Sequence, residues 1–370
     1  MRRFFCAALA AVFAVLFSLA PVAAQQGNQP SGVLHRPMQP YLNHDGTVRR
    51  LRGVATTTSW SGYAVKTAAP YKSASATWQV PDVAYDGGKT PYGYEYVFDW
   101  VGVGGDGDST LIQLGTESVV STAGAKTFYA WYELYPAVSQ LIALPVKPGD
   151  IVTASLQCTA ACTPAQTQTW HLTLTNATQG WNWAQNFQYQ SSMASAEWIT
   201  EPPYYNGTLP LADYGEANYD PVMANGANPN LSLATNGIIA MDSWGQTSNP
   251  SPPVNGDAFG TCWGKTTLTP CTAGTVTPPP PVVTAALAAN PKSITAGQSS
   301  TLTWSSTNAT SCTGSGFPAS GTSGSATVSP TVTTSYSVTC TAGEDPATAM
   351  ATVTVGSSGG GTTCHGKKCR

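Results

Sequence analysis

The chain has 370 residues, enough for one large domain, a smaller one and a sizeable buried core. Only 9% of them are Asp, Glu, Lys or Arg, against about 25% in an ordinary soluble domain. A net charge of −3 excludes a strongly basic nucleic-acid binder, and 42% hydrophobic residues with 11 Trp exclude a disordered chain.

Residues 1–24 begin Met1-Arg2-Arg3, continue as an apolar run from Phe4 to Ala20, and end with small residues at Val22 and Ala24. That pattern is a secretory signal peptide, so the protein is expected outside the cell. No later run approaches the length of a membrane span. Residues 25–52 are polar and basic, with Arg36, Arg49, Arg50 and Arg52 against Asp45, a net +3. This segment reads either as a basic propeptide clamped by charge over an acidic cleft and inhibiting it, or as an unstructured leader. From Gly53 to Thr275 there are six Lys and sixteen Asp or Glu, a net −10, and no Arg. Few cations and many carboxylates suit an acidic medium.

The 53–275 stretch alternates in short runs rich in Val, Thr, Tyr and Trp, such as Tyr94 to Val101, Thr127 to Tyr135 and Asp150 to Gln157. Period-two runs broken by Gly, Pro and Asn predict antiparallel strands, hence an all-β sandwich. Residues 276–282 form a Pro-rich linker. Residues 283–356 read as a second, small sandwich; Trp304 and the pair Cys312 and Cys340 make it similar to bacterial immunoglobulin-like accessory domains. A Gly-rich, Cys-containing tail occupies 357–370. Once Cys6 leaves with the signal, eight Cys remain in local pairs: 158 with 162, 262 with 271, 312 with 340, 364 with 369. Even number and export favour disulfides, although Cys364, His365 and Cys369 have metal-ligand character.

The large domain offers one histidine, His171, on a strand that reads as structural, so triad chemistry has little to stand on. Multi-His zinc motifs are missing, Asp106-Gly-Asp108 reads as a turn, and Gly102 to Gly107 leads to no helix that would cradle a phosphate. Carboxylates and amides remain. Alternation places Trp131, Glu133 and Tyr135 on one strand face. Gln113 lies inside the apolar frame Leu111-Ile-Gln-Leu114, where a buried amide needs partners.

Five segments in order resemble the glutamic peptidases, the eqolisin family of acid endopeptidases, across roughly Ser59 to Cys271. They are Ser59-Trp-Ser-Gly-Tyr63, Trp100-Val-Gly-Val103, Leu111-Ile-Gln-Leu-Gly115, Ala130-Trp-Tyr-Glu-Leu-Tyr-Pro136 and Ala196-Glu-Trp-Ile199. The resemblance implies a lectin-like (concanavalin A-like) antiparallel β-sandwich and cleavage of protein substrates by a monomer without metal or cofactor. It places the dyad on Gln113 and Glu197, with Trp60, Trp100, Trp131, Glu133 and Tyr135 lining the cleft or supporting the dyad. Gln79 falls instead on a structural strand of the family. Two departures stand out: Gly104 replaces an acidic residue of the family, for which Asp106 is a possible substitute, and Tyr129 stands where an acidic residue can precede Ala-Trp-Tyr-Glu. Two other readings compete. One is a sandwich glycoside hydrolase using Glu133 and Glu197 as paired carboxylates; the other is a lectin-like binding protein without catalysis.

Overall fold

The computed structural model describes residues 33–241, 244–277, 283–342 and 346–356. The signal peptide, the start of the leader, most of the linker and the tail with Cys364 and Cys369 lie outside the described residues. The chain forms two compact units that divide between Pro278 and Pro279.

The first unit is built from β1 (Arg50–Leu51), β2 (Val54–Thr57), β3 (Ser61–Lys66), β4 (Ser73–Gln79), β5 (Tyr94–Val103), β6 (Leu111–Ser121), β7 (Lys126–Tyr135) and β8 (Gln140–Ile142). It continues with β9 (Ile151–Ala160), β10 (Gln168–Asn176), β11 (Trp181–Tyr189), β12 (Ser195–Glu201), β13 (Glu216–Ala224), β14 (Gly237–Met241), β15 (Gln246–Pro250) and β16 (Phe259–Lys265). Among the described residues one short helix, α1 (Leu233–Asn236), interrupts them. β-Branched and aromatic side chains favour this geometry because they pack well on a pleated surface.

One sheet runs β11-β10-β9-β4-β13-β16-β15-β14-β3-β12-β5-β6-β7-β8. It doubles over so that β4, β9 and β10 lie against β12, β5 and β6, making the antiparallel sandwich expected from the alternation. Between the layers, Val97, Val101, Ile112 and Leu114 meet Ala76, Trp78, Leu156 and Leu172. Each such apolar side chain contributes about 1.5–3 kcal/mol by leaving water. The alternate residues of β5, β6, β7 and β12 point away from this core and form a second cluster that includes Trp60, Phe98, Trp100, Trp131 and Ile199. Disulfides join Cys158 to Cys162 and Cys262 to Cys271.

The second unit has two sheets. One contains β17 (Thr284–Asn290), β19 (Ser300–Thr307) and β21 (Ser323–Val328); the other contains β18 (Ser293–Thr295), β20 (Ser311–Ser315), β22 (Thr334–Thr341) and β23 (Ala347–Gly356). Its core holds Leu302, Trp304, Tyr336, Val338 and Val353. Cys312 and Cys340 are bridged as expected, yet they face each other on adjacent strands of one sheet. In immunoglobulin domains the bridge joins the two sheets, so this unit lacks that hallmark.

Gly115 fixes how closely the site-bearing strands approach. It lies opposite Trp100 on one side and Trp131 on the other. A Cβ there would sit 2.0 Å from the Asp99 carbonyl oxygen and 2.8 Å from the Trp100 Cα. Because those are backbone atoms, the sheet itself must shift. Gly115→Ala is therefore expected to destabilise the unit by about 1–3 kcal/mol or more, as overpacking does. Denaturant unfolding measures this, and an unchanged midpoint would contradict the packing described.

Candidate functional site

In antiparallel pairs, directly opposed residues project to the same face. Glu197 of β12 is opposite Gly102 of β5, Gly102 is opposite Gln113 of β6, and Gln113 is opposite Glu133 of β7. A single row across four strands thus reads Glu197, Gly102, Gln113, Glu133. The Gln113 and Glu197 backbones stand two strand spacings apart, roughly 10 Å. Gly102 contributes no side chain between them, and a Cβ there would meet the Trp100 ring at 2.8 Å. Gln113, Glu133 and Glu197 are all completely buried.

Below this row, Trp100 and Trp131 flank Gly115, and Ile199 lies on β12. The next row carries Glu201, Phe98, Glu117 and Tyr129. Trp60 packs edge-on against Trp100 at 5.0 Å, and Trp100 Nε1 donates to Glu201 Oε1 at 3.1 Å. Tyr135 is half-buried at the end of β7, and its carbonyl accepts from the Tyr189 hydroxyl at 2.6 Å. All seven residues named from the sequence therefore fall on or beside one sheet face. His171 does not: it bonds Asn186 at 2.7 Å on β10. Gln79 is exposed on β4.

The leader also lies in the site. His35 is fully buried there. Its N–H faces both Glu133 carboxylate oxygens at 3.1 and 3.2 Å, and its carbonyl oxygen accepts from Gln113 Nε2 at 3.2 Å. The imidazole stacks on Trp131 with centroids 4.1 Å apart, contacts Phe98, and places Nδ1 2.8 Å from Glu201 Oε1. Main-chain pairing of Leu34 with Tyr204 and the Trp60 Nε1 bond to the Arg36 carbonyl at 3.1 Å hold the segment on either side. A cavity of about 260 Å³ continues past Arg36, bordered by Ser59, Glu201 and Tyr204. The arginines do not form the charge clamp read from composition. Arg36 stacks on the Tyr204 ring at 4.3 Å, Arg50 donates to the Gly53 and Ala234 carbonyls, and among the described residues no Arg makes an ion pair.

Burial controls the ionisation of the site. It pushes the Glu197, Glu133 and Glu201 carboxyls well above the usual carboxylate range and the His35 imidazole well below its own. His35 Nδ1 and Glu201 Oε1 face each other at 2.8 Å within this buried site. For Glu197, the Ser195 hydroxyl and Lys66 oppose the rise, while Asp106 and Asp108 add to it. Ser195 lies beside the carboxyl, but neither Glu197 oxygen completes a well-formed hydrogen bond.

The loop after β5 brings Asp106 near Glu197, where it pairs with Lys66 at 2.8 Å. It does so by a different backbone path from an acidic residue at 104. Gly104 has φ +87°, and a Cβ there would meet the Thr110 carbonyl oxygen at 2.7 Å, so this loop requires glycine. Among the described residues, no group of three or more His, Cys, Asp and Glu could hold a metal ion, and no helix is long and apolar enough to cross a membrane.

Sequence reading missed two site residues. Glu201 shares a strand face with Glu197 by period two, a signal available by extending the Ala196-to-Ile199 motif two residues further. His35 carries no periodic signal, since it belongs to the leader and pairs with strands far away in the chain.

The model of the Peptidase A4 family matches residues 58–261, over half of the chain, and the chain belongs to that family, the glutamic peptidases. It is thus a peptidase with an all-β fold. Among solved structures it is similar to the crystal structure of scytalido-glutamic peptidase with a transition state analog inhibitor, at 23% identity, 56% of this chain, 98% of that chain and a TM-score of 0.44. No curated protein matches the chain.

Buried carboxyls also set how stability responds to pH. Burial raises Asp99 to about 7 and Glu95 to about 8. In the unfolded chain such groups ionise near pH 4. The folded state therefore retains protons between about pH 4 and 8 that the unfolded state has lost. Stability is full below this window and falls as pH rises through it. For the fully buried Asp99 alone the loss amounts to roughly 4 kcal/mol by pH 8. Buried His35 acts in the opposite sense below about pH 6.5, where the unfolded chain takes up a proton that the folded one does not. Thermal unfolding should therefore show a midpoint that falls between about pH 6.5 and 8; a midpoint that climbs over that range would contradict the burial of Asp99 and Glu95.

Proposed function

We propose that this protein is an exported endopeptidase, active in acid, that hydrolyses peptide bonds with Gln113 and Glu197 and needs neither metal nor cofactor. The observation that carries the reading is the Gln113 amide against the His35 carbonyl oxygen at 3.2 Å. An amide facing a carbonyl oxygen presents its NH₂ group, which is the donor a tetrahedral oxyanion requires. In the same row, Glu197 has both carboxylate oxygens free of well-formed bonds. It takes a proton from the attacking water and returns it to the leaving amine. Glu133 accepts the substrate N–H as it accepts that of His35, while Trp60, Trp100, Trp131 and Tyr135 wall the cleft.

Residues 33–40 act in this reading as part of an inhibitory propeptide. They cover the dyad and close the cleft to other chains. Removing them opens the cleft to substrate and to water, which lowers the Glu197 carboxyl toward the ordinary carboxylate range. Two disulfides in this unit suit an oxidising extracellular medium. The enzyme is expected to act as a monomer, with the C-terminal unit as an appended module.

The glycoside hydrolase reading loses support from the register. Glu133 and Glu197 are three strand spacings apart, roughly 14 Å between backbones, with Gln113 between them. Using those two carboxyls as the pair would leave the buried Gln113 between them without a role. A purely lectin-like protein has no need of a Gln and a Glu on opposite sides of a side-chain-free gap.

Purified protein incubated at pH 3–4 should shorten at its N-terminus and then digest a denatured protein, with pepstatin and EDTA without effect. Glu197→Gln and Gln113→Glu should each abolish digestion while leaving the unfolding midpoint nearly unchanged. Wild-type digestion by either variant would refute the dyad.

A further inference from the structure

We propose that His35–Arg36 is the first peptide bond this protein cuts, and that Glu201 makes the adjoining subsite selective for an imidazole side chain. The inference rests on the dyad reading above and adds the identity of the bond and of the side chain read beside it.

The main chain comes first. Of the leader residues described, His35 has both of its backbone polar groups held by the dyad row: N–H on Glu133, carbonyl oxygen on Gln113. If Gln113 stabilises the oxyanion, the carbonyl it holds is the one attacked, and the bond broken is the one from that carbon to the Arg36 nitrogen. The chain is anchored on both sides of this bond. Leu34 exchanges hydrogen bonds with Tyr204 at 2.9 and 2.8 Å, the Arg36 carbonyl accepts from Trp60, and the Met38 N–H donates to the Gly105 carbonyl at 2.9 Å. A purely obstructive strap would need cover over the dyad. It would not need to place one carbonyl on the oxyanion donor and pin the residues before and after it.

The side chain then explains why this residue is histidine. Its pocket is a flat slot, with Trp131 stacked at 4.1 Å and an interplanar angle of 23°, Phe98 tilted at 4.2 Å, and Glu201 closing the end at 2.8 Å from Nδ1. His35 and Glu201 are both buried to within 1%, and Trp100 Nε1 donates to the same Glu201 oxygen that faces His35. An aliphatic or phenyl group would fit between the rings but take one of these two partners from a buried carboxyl, which is costly. An imidazole supplies a planar stacking surface and a ring nitrogen at the right depth.

The step is a hydrolysis and balances with water alone. Glu197 accepts a proton as water oxygen bonds to the His35 carbonyl carbon, and the oxyanion rests on Gln113. The C–N bond then breaks as Glu197 returns the proton to the Arg36 nitrogen. The products are a peptide ending in His35 carboxylate and a chain beginning at Arg36. Residues after Arg36 stay attached through the Pro40 and Thr57 bridge and the bonds of Tyr41 and Thr58 to that strand region.

Two measurements test this. The full chain is held at pH 3–4 and the earliest new N-terminus is read by sequencing and intact mass, for wild type, for Glu197→Gln alone, and for Glu197→Gln with trace wild-type enzyme added. The expected first product begins at Arg36 in wild type and in the mixed sample, with no product from Glu197→Gln alone. A first cut elsewhere by an active enzyme overturns the bond assignment and leaves the dyad standing. Self-processing by Glu197→Gln overturns the dyad itself. Separately, matured enzyme is given a peptide of the sequence 31–40 and copies with Ala or Phe at the His35 position. The His peptide should be cut at His–Arg with kcat/KM about tenfold or more above the others, the cost of leaving a buried polar partner unmatched. In Glu201→Leu, which leaves no hydrogen-bonding group at the end of the slot, the ratio between the His and Phe peptides should collapse toward one. Equal rates for all three peptides in wild type, or a preference that survives Glu201→Leu, would overturn the role of Glu201.

Discussion

Gly102 has no side chain, and the strands on either side of it carry Glu197 and Gln113 at the same level of the sheet. That gap is the constraint from which the rest of the site follows. With any other residue at the centre of β5, a side chain would stand between the carboxyl and the amide, and the Trp100 ring would be displaced. One row down, Gly115 does the same for Trp100 and Trp131. Each of these two successive rows thus has a glycine between its large side chains, which gives the polar groups of one and the indoles of the other room on the same face. Precision of this kind comes from register, which hydrogen-bonded strands keep more exactly than loops do.

Burial is the second theme, and it gives the low charge content a physical meaning. Asp99, Glu95, Glu133, Glu197 and Glu201 all have their carboxyls pushed upward by desolvation. A fold that hides so many carboxyls loses stability as they are forced to ionise and loses nothing when they are protonated. These carboxyls taken alone favour the folded state in acid, against the opposing effect of the buried His35 imidazole. The leader obeys the same logic. Its grip on the cleft is the His35 contact with Glu201, ring stacking, and main-chain hydrogen bonds to Glu133, Gln113, Tyr204 and Gly105, with no arginine ion pair among the described residues.

Much of this was legible in the sequence. Alternating Val, Thr, Tyr and Trp predicted the sandwich, period two put Trp131, Glu133 and Tyr135 on one face, and an amide in an apolar frame singled out Gln113. Local cysteine spacing matched the three bridges among the described residues. What could not be read was long-range pairing. Gly102 and Gln113 meet across the consecutive strands β5 and β6, but nothing local says that Glu197 of β12, far along the chain, lies on the other side of Gly102. His35 escaped for the same reason, since its partners Glu133, Gln113 and Glu201 come from three different strands. Counting arginines could show that the leader was basic but not that its histidine would enter the site.

The most direct test of the central claim separates binding from chemistry at Gln113. In the matured enzyme, steady-state kinetics of Gln113→Ala on a short peptide should show kcat lower by about 10²–10³-fold with KM little changed, as expected when an oxyanion donor is removed. A variant that keeps kcat and loses only KM would show that the amide holds substrate without stabilising the transition state, and would contradict the account.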